Sequence, residues 1–316
     1  MRNQWRAYLA LAAMCIIWGT TYLAMRVGIM HVPPFLFLGI RQVVAGGLLC
    51  LFFLGSGHRF PAWKDLKIHL LAGILMIGIG NGLVGWGEQH VTSGIAALIC
   101  SMMPIWLILF NVFFMGNTER VNGKMALGIL LGFGGLVLIF SDGLQDLVNP
   151  AYASGMIGIV VATLSWAGGT LLLKKQKPVI KPVFAAGIQL LSGGVFMLII
   201  SPFSDNYGGM EFTGEAVYAL LYLIVFGSIV SYGSFTYALE KLPASTVSMY
   251  AYINPLVALF AGWLLLDEVL SRHILFAGLL TIGGIYLVTA GRRRKKPALS
   301  PAPVPGPRER QASATQ

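Results

Sequence analysis

Charge is what this chain has least of. Lys, Arg, Asp and Glu together make up 11% of 316 residues, against 56% hydrophobic residues and a mean hydropathy of +0.76. That leaves too little polar surface to cover a water-soluble globule, so the composition is that of an integral membrane protein. Long polar stretches are missing as well, and no segment between the apolar runs could house a soluble domain. Cysteine is sparse: Cys15, Cys50 and Cys100 all fall inside apolar runs at no metal-ligand spacing, so they read as small apolar residues. No metal or cofactor is expected. Catalytic signatures are absent too, with no G-x-S-x-G, no H-E-x-x-H, no paired intramembrane aspartates and no Walker loop. The nearest approach to a Walker loop, Asn122 to Lys124, lacks the spaced upstream Gly and the following Ser or Thr. ATP is therefore not an expected partner and the chain does not read as an enzyme. The alternative class is a membrane-embedded enzyme acting on lipid or isoprenoid substrates.

Apolar runs are what the chain has in abundance. Crossing the hydrocarbon as a helix takes roughly 20 residues, and ten stretches approach that length: Tyr8 to Ile29, Phe35 to Leu54, Ile68 to Gly87, Ile95 to Met115, Met125 to Phe140, Gly155 to Leu173, Val183 to Ile200, Ala216 to Leu239, Ala244 to Leu266 and Ile274 to Ala290. A barrel would need short segments alternating apolar and polar residues, whereas these runs are apolar all round.

The runs also repeat. Cys15 to Val27 aligns with Thr163 to Lys175, setting Trp18 against Trp166 at an offset of 148, and Gly39-Ile40 against Gly187-Ile188 at the same offset. Gly82 then meets Gly233 and Pro104 meets Pro255 at 151, and Glu119 meets Glu268 and Gly134-Gly135 meets Gly283-Gly284 at 149. Ordered anchors of this kind indicate a duplication. With five crossings per copy, the second copy enters the membrane upside down. The expected fold is thus an all-α integral membrane protein of ten transmembrane helices in two inverted five-helix repeats, residues 1–141 and 154–290, followed by a basic, Pro-rich cytoplasmic tail over 291–316.

Basic residues set the orientation, because short loops rich in Lys and Arg stay in the cytoplasm. With the N-terminus inside, nineteen of the 22 Lys and Arg fall on the cytoplasmic side; Arg26 and Arg272 lie near the outer side and Arg41 within a span. Both termini are then cytoplasmic, in an inner (plasma) membrane. The net charge of +10 is explained by this distribution without a nucleic-acid partner. Two N-terminal Arg before an apolar run suggest a signal peptide, but the run continues to Ile29 without an A-x-A site, so the segment reads as a retained helix. Beyond Gly291, RRRKK and five prolines cannot pack, and the basic cluster suits the anionic inner leaflet.

Site candidates come from polar and aromatic residues inside the spans. Arg41 lies two turns into the second helix from its outer end, and Arg26 and Glu88 end the first and third helices on that side. Arg41 paired with Glu88, or with a substrate carboxylate or phosphate, would make a clamp or an outer gate, and Glu88 is the carboxylate placed to respond to protons. Trp18 and Trp166 sit about ten residues into their helices, away from any headgroup for the indole N–H. They are expected to line a cavity with Tyr22, Asn81, Gln189, Tyr232, Tyr250 and Asn254. Pro104 and Pro255 interrupt the fourth helix of each copy and free the carbonyls of Cys100 and Ala251 for a wet cavity.

These residues carry a resemblance. The WG..Y...R pattern from Trp18, the SWA at Ser165, SGIAAL and MP.W in the fourth helix, and YAYINP from Tyr250 resemble the EamA family of the drug/metabolite transporter superfamily over nearly the whole chain to Ala290. The resemblance implies a ten-helix inner-membrane permease exporting amino acids, other metabolites or toxic small molecules without ATP. The second copy departs from the first, having Lys174-Lys175 and Gln189 where the first has Arg26 and Arg41. The reading is a secondary or facilitative transporter working by alternating access. Its partners are a small-molecule solute, membrane lipids and, as an admissible assembly, a second copy of the chain.

Overall fold

The computed structural model describes residues 4–114, 122–142, 150–174, 180–242 and 250–291. Among these no strand occurs, and the helical runs follow the apolar stretches. They are α1 (Gln4–Ile29), α2 (Pro34–Gly55), α3 (Trp63–Gly87), α4 (Ser93–Ser101, resuming as Met103–Phe114), α5 (Gly123–Asp142), α6 (Pro150–Lys174), α7 (Pro182–Ser204), α8 (Gly214–Tyr222 continuing to Lys241), α9 (Tyr250–Leu266) and α10 (Arg272–Gly291). Eight are long and apolar enough to cross a membrane; two further apolar helices, Gly123–Gly135 and Ile253–Leu266, are shorter over the described residues. The expectations for Glu119, Lys175 and the basic tail lie outside the described residues.

Prolines mark helix starts. Pro34 and Pro182 occupy the first turn of α2 and α7, where the missing N–H costs nothing and the fixed φ is already helical. Pro104 ends one helix and opens the next. The helix stops at Ser101, Met102 forms a turn with its N–H on the Ile99 carbonyl at 3.1 Å, and Met103 begins the continuation. Pro255 departs from the expectation: it lies inside α9, which runs unbroken from Tyr250 to Leu266. The Asn254 amide, oriented to satisfy its neighbours, donates to the carbonyls of Tyr250 at 3.1 Å and of Cys15 on α1 at 3.0 Å. These bonds tie α9 to α1 one residue before the proline; the carbonyl that Pro255 frees is that of Ala251, and the helix continues past it.

The third helix of each half carries a feature the sequence reading missed. Ile74–Asn81 in α3 and Leu223–Val230 in α8 are π-helical, and they are separated by 149 residues, the offset of the glycine pairs. Wider π turns are rare and concentrate at functional sites.

The halves interleave. α2 packs on α7 and α5 on α10; α1 packs on α8 and α9, while α3 and α4 pack on α6, and α4 packs on α9. Glycines permit the closest approaches, as expected where lipid supplies no hydrophobic drive between helices. A Cβ at Gly128 would lie 2.6 Å from the Gly284 carbonyl, and one at Gly284 the same distance from the Gly128 carbonyl. α6 runs against α3: a Cβ at Gly155 would meet the Gly87 carbonyl at 3.1 Å, and Ser165 donates to the Leu75 carbonyl at 2.7 Å. The core so formed centres on Phe37, Leu38, Ile77, Leu98 and Ile99, all fully buried.

Candidate functional site

A cavity of about 140 Å³ opens where α1, α2, α3, α4, α6, α8 and α9 converge. Trp18 and Tyr22 reach it from α1, Arg41 and Gln42 from α2, Gly80 and Asn81 from the π stretch of α3, and Cys100 and Met103 from the two sides of the α4 break. Thr163 and Trp166 come from α6, Gly227 and Tyr232 from α8, and Tyr250, Asn254 and Pro255 from α9. Both π stretches and both proline regions therefore border one space.

Four of the residues singled out in the sequence do not line it. Gln189 is buried between α7 and α3, where its Nε2 lies 3.1 Å from His69 Nδ1. Glu88 and Arg26 sit beyond the cavity, at the end of the bundle where α1 and α3 finish. Pro104 adjoins the cavity only through its neighbour Met103.

Arg41 does not pair with Glu88. Its guanidinium is buried, and its Nε donates to Ser228 Oγ at 3.2 Å, which in turn donates to Gln42 Oε1 at 3.3 Å. Among the described residues no carboxylate lies within ion-pair distance of it. A buried guanidinium without a counter-charge is costly, so the cavity has one unbalanced positive charge on its wall. Ser228 and Gln42 escaped the sequence reading. The signal was there, since both are polar residues inside apolar spans.

The aromatic wall is asymmetric. Trp18 donates its indole N–H to the Gly227 carbonyl in the α8 π stretch at 3.2 Å. Its ring stands edge-on to Tyr232 and Tyr250, with centroids 5.8 and 5.3 Å away. Trp166 packs over Gly80 in the twin π stretch, and no described residue accepts from its indole N–H. Trp18 is thus fixed to the protein, whereas the Trp166 indole N–H has no protein acceptor among the described residues.

Arg26 ties three segments together instead of standing free. Its Nη1 donates to the backbone carbonyls of Glu88, at 2.6 Å, and Val91, and its Nε lies 3.5 Å from Glu268 Oε1. Glu268 also accepts from Ser93 N and Ser93 Oγ, each at 3.0 Å, at the start of α4. A carboxylate at a helix N-terminus meets unsatisfied N–H groups and the positive end of the dipole. Asp205 does the same for α2, accepting from Leu36 N at 2.8 Å and Phe35 N at 3.3 Å. Glu268 was visible in the sequence only as a repeat anchor. What aims it is local geometry: Asp267 adopts φ of 52°, and Glu268 N donates back to the Gly262 carbonyl at 3.1 Å, the pattern that closes a helix through a left-handed residue.

Comparison with known proteins agrees with this architecture. The profile of the EamA-like transporter family matches residues 5–141 and 153–290. The uncharacterized inner membrane transporter YedA of Escherichia coli is 32% identical over 92% of this chain and 94% of its own length. The uncharacterized transporter YoaV of Bacillus subtilis is 29% identical over 92% of this chain and 99% of its own. One solved crystal structure, 17% identical, shares the fold with a TM-score of 0.65 over 92% of this chain and 99% of that one.

Proposed function

This chain belongs to the EamA-like transporter family, and on that premise we propose that it is an inner-membrane secondary or facilitative transporter. It exports a small metabolite or amino-acid-like solute that carries a carboxylate or phosphate. The observation that carries this reading is Arg41, buried on the cavity wall with no carboxylate at ion-pair distance among the described residues. A solute anion supplies the missing counter-charge, and a guanidinium grips a carboxylate or phosphate through two parallel hydrogen bonds. Asn81 and the Trp166 indole supply further polar contacts, and Tyr22, Tyr232 and Tyr250 supply flat apolar surface.

Alternating access between two inverted halves is the mechanism that fits. Its support is the packing pattern: second helix on second, fifth on fifth, fourth on fourth, and first on third in both senses. A two-fold relation between the halves generates such pairs, and the π stretches recur under the same offset. Placing the basic loops inside makes the end bearing Arg26, Glu88 and Glu268 the outer one. The conformer described is then closed outside by the Arg26–Glu268 tie between the halves.

The test is binding followed by flux. The purified protein is screened for thermal stabilisation by a panel of free amino acids, carboxylates and sugar phosphates, and hits are assayed for movement across proteoliposomes. Arg41→Ala abolishes stabilisation by anionic solutes and Arg41→Lys retains part of it, because a lysine keeps the charge and loses the fork. Undiminished binding and flux by Arg41→Ala would refute the assignment.

A further inference from the structure

Among the described residues, Glu88 is the one carboxylate that is buried with both oxygens lacking a hydrogen-bond partner. It follows the last residue of α3 and is 1% exposed, and neither Oε1 nor Oε2 has a donor in reach. The charged and titratable groups around it are committed elsewhere. Arg26, on α1, spends its guanidinium on the Glu88 and Val91 backbone carbonyls and on Glu268. Arg41, on α2, is held by Ser228. Tyr22 on α1 and Cys100 on α4 can feel the charge of Glu88 but carry none to offset it. Glu268, from the turn after α9, is a like charge. His90, two residues on, lies against Trp86 with ring centroids 5.2 Å apart.

An ionised carboxylate in such surroundings loses its hydration and gains no hydrogen bond in return, so the closed conformer holds the neutral acid. Burial pushes the Glu88 carboxyl well above the ordinary carboxylate value of 4.5, against the pull of Arg26; Glu268 adds to the rise and Arg41 opposes it. The guanidinium of Arg26 already touches the backbone of Glu88, and of the cations whose charge Glu88 feels it acts most strongly, so it is the partner an ionised carboxylate would take.

Resting on the transporter reading and its orientation, we propose that Glu88 is a proton-binding site that governs the outer tie. Protonated, it leaves Arg26 to Glu268 and the outer side stays closed. Ionised, it competes for Arg26, and the bond between the halves is released. Loading forms one O–H bond at a Glu88 oxygen with a proton taken from water. Release breaks that bond and returns the proton to water, with no other covalent change. The outer opening is thereby linked to pH on the outer face, and solute movement to a proton.

The full-length protein in phospholipid vesicles is titrated by infrared difference spectroscopy, reading the C=O stretch of protonated carboxyl groups. At neutral pH the wild type shows a band that Glu88→Gln removes. Identical spectra for the two proteins overturn the proposal. Should Glu88→Gln fail to fold, Glu88→Asp serves: the shorter side chain shifts the band and its titration midpoint, and an unshifted band is equally fatal. Spin labels at the exposed positions Gln89 and Val269 read the tie itself. Their separation grows in the wild type as pH rises through the band midpoint and stays short in Glu88→Gln; a separation independent of pH in the wild type overturns the switch. An intact, Glu88-dependent band in protein that moves no solute from the panel would sink the transporter reading and leave the proton site standing.

Discussion

Single residues decide how the end of the bundle near Arg26 is held. Asp267 takes a left-handed backbone that L side chains other than Asn and Asp rarely adopt, and that turn delivers Glu268 to Ser93 and Arg26. Glycine enters this region freely. Asp267→Gly therefore leaves the thermal midpoint in detergent unchanged or raised, while Asp267→Val costs about 1–2 kcal/mol. A lower midpoint for the glycine variant than for the valine one would contradict the account. Glu88 adds a pH dependence whose sign follows from its raised pKa. Its contribution to the closed conformer is full below the ordinary value of 4.5 and is lost as pH climbs through the raised value. Of the site residues read from the sequence, Arg41, Trp18 and Trp166 border the cavity because a polar or indole group deep in an apolar span has few other places to go. Gln189 obeys the same logic but finds His69, a partner that spacing along the chain does not reveal.

At the scale of elements, the doubled glycines separate into working and idle members. Gly134 and Gly283 have nothing within 4 Å of an added Cβ. Gly135 and Gly284 face the opposite helix: a Cβ at Gly135 would lie 2.8 Å from the Ala277 carbonyl, and one at Gly284 2.6 Å from that of Gly128. α5 and α10 thus approach backbone to backbone, and a branched side chain has no room. Gly128→Val is expected to lower stability by roughly 1–3 kcal/mol through overpacking, with Gly134→Ala as the neutral control, both read by thermal unfolding in detergent. Equal midpoints for the two variants would count against this interface. The two prolines make the companion lesson. Both occupy the fourth helix of their half, yet Pro104 follows a turn at Met102 and Pro255 lies in a continuous helix, a difference that the proline alone does not set.

For the whole molecule, the expected inversion of the halves has a direct test. Single cysteines at Met30, exposed at the end of α1, and at Ala151, exposed at the start of α6, react with an impermeant thiol reagent added outside intact cells. Cysteines at Lys64 and Lys181 are protected there and become reactive in inverted vesicles. Labelling of Met30 and Ala151 variants from opposite sides would rule out the arrangement. Membrane insertion, helix class and span positions are legible in the sequence, because they depend on local hydropathy and on the satisfaction of backbone groups within each run. The repeat is legible too, since homologous runs keep their order. What only the tertiary structure decided is which side chains meet. Arg26 finds Glu268, Arg41 finds Ser228 instead of Glu88, the π stretches converge on one cavity, and the Glu88 carboxyl is left without a donor. Those pairings join residues from opposite ends of the chain. They depend on helix rotation and backbone approach, quantities set by packing in three dimensions and not by the period of any single run.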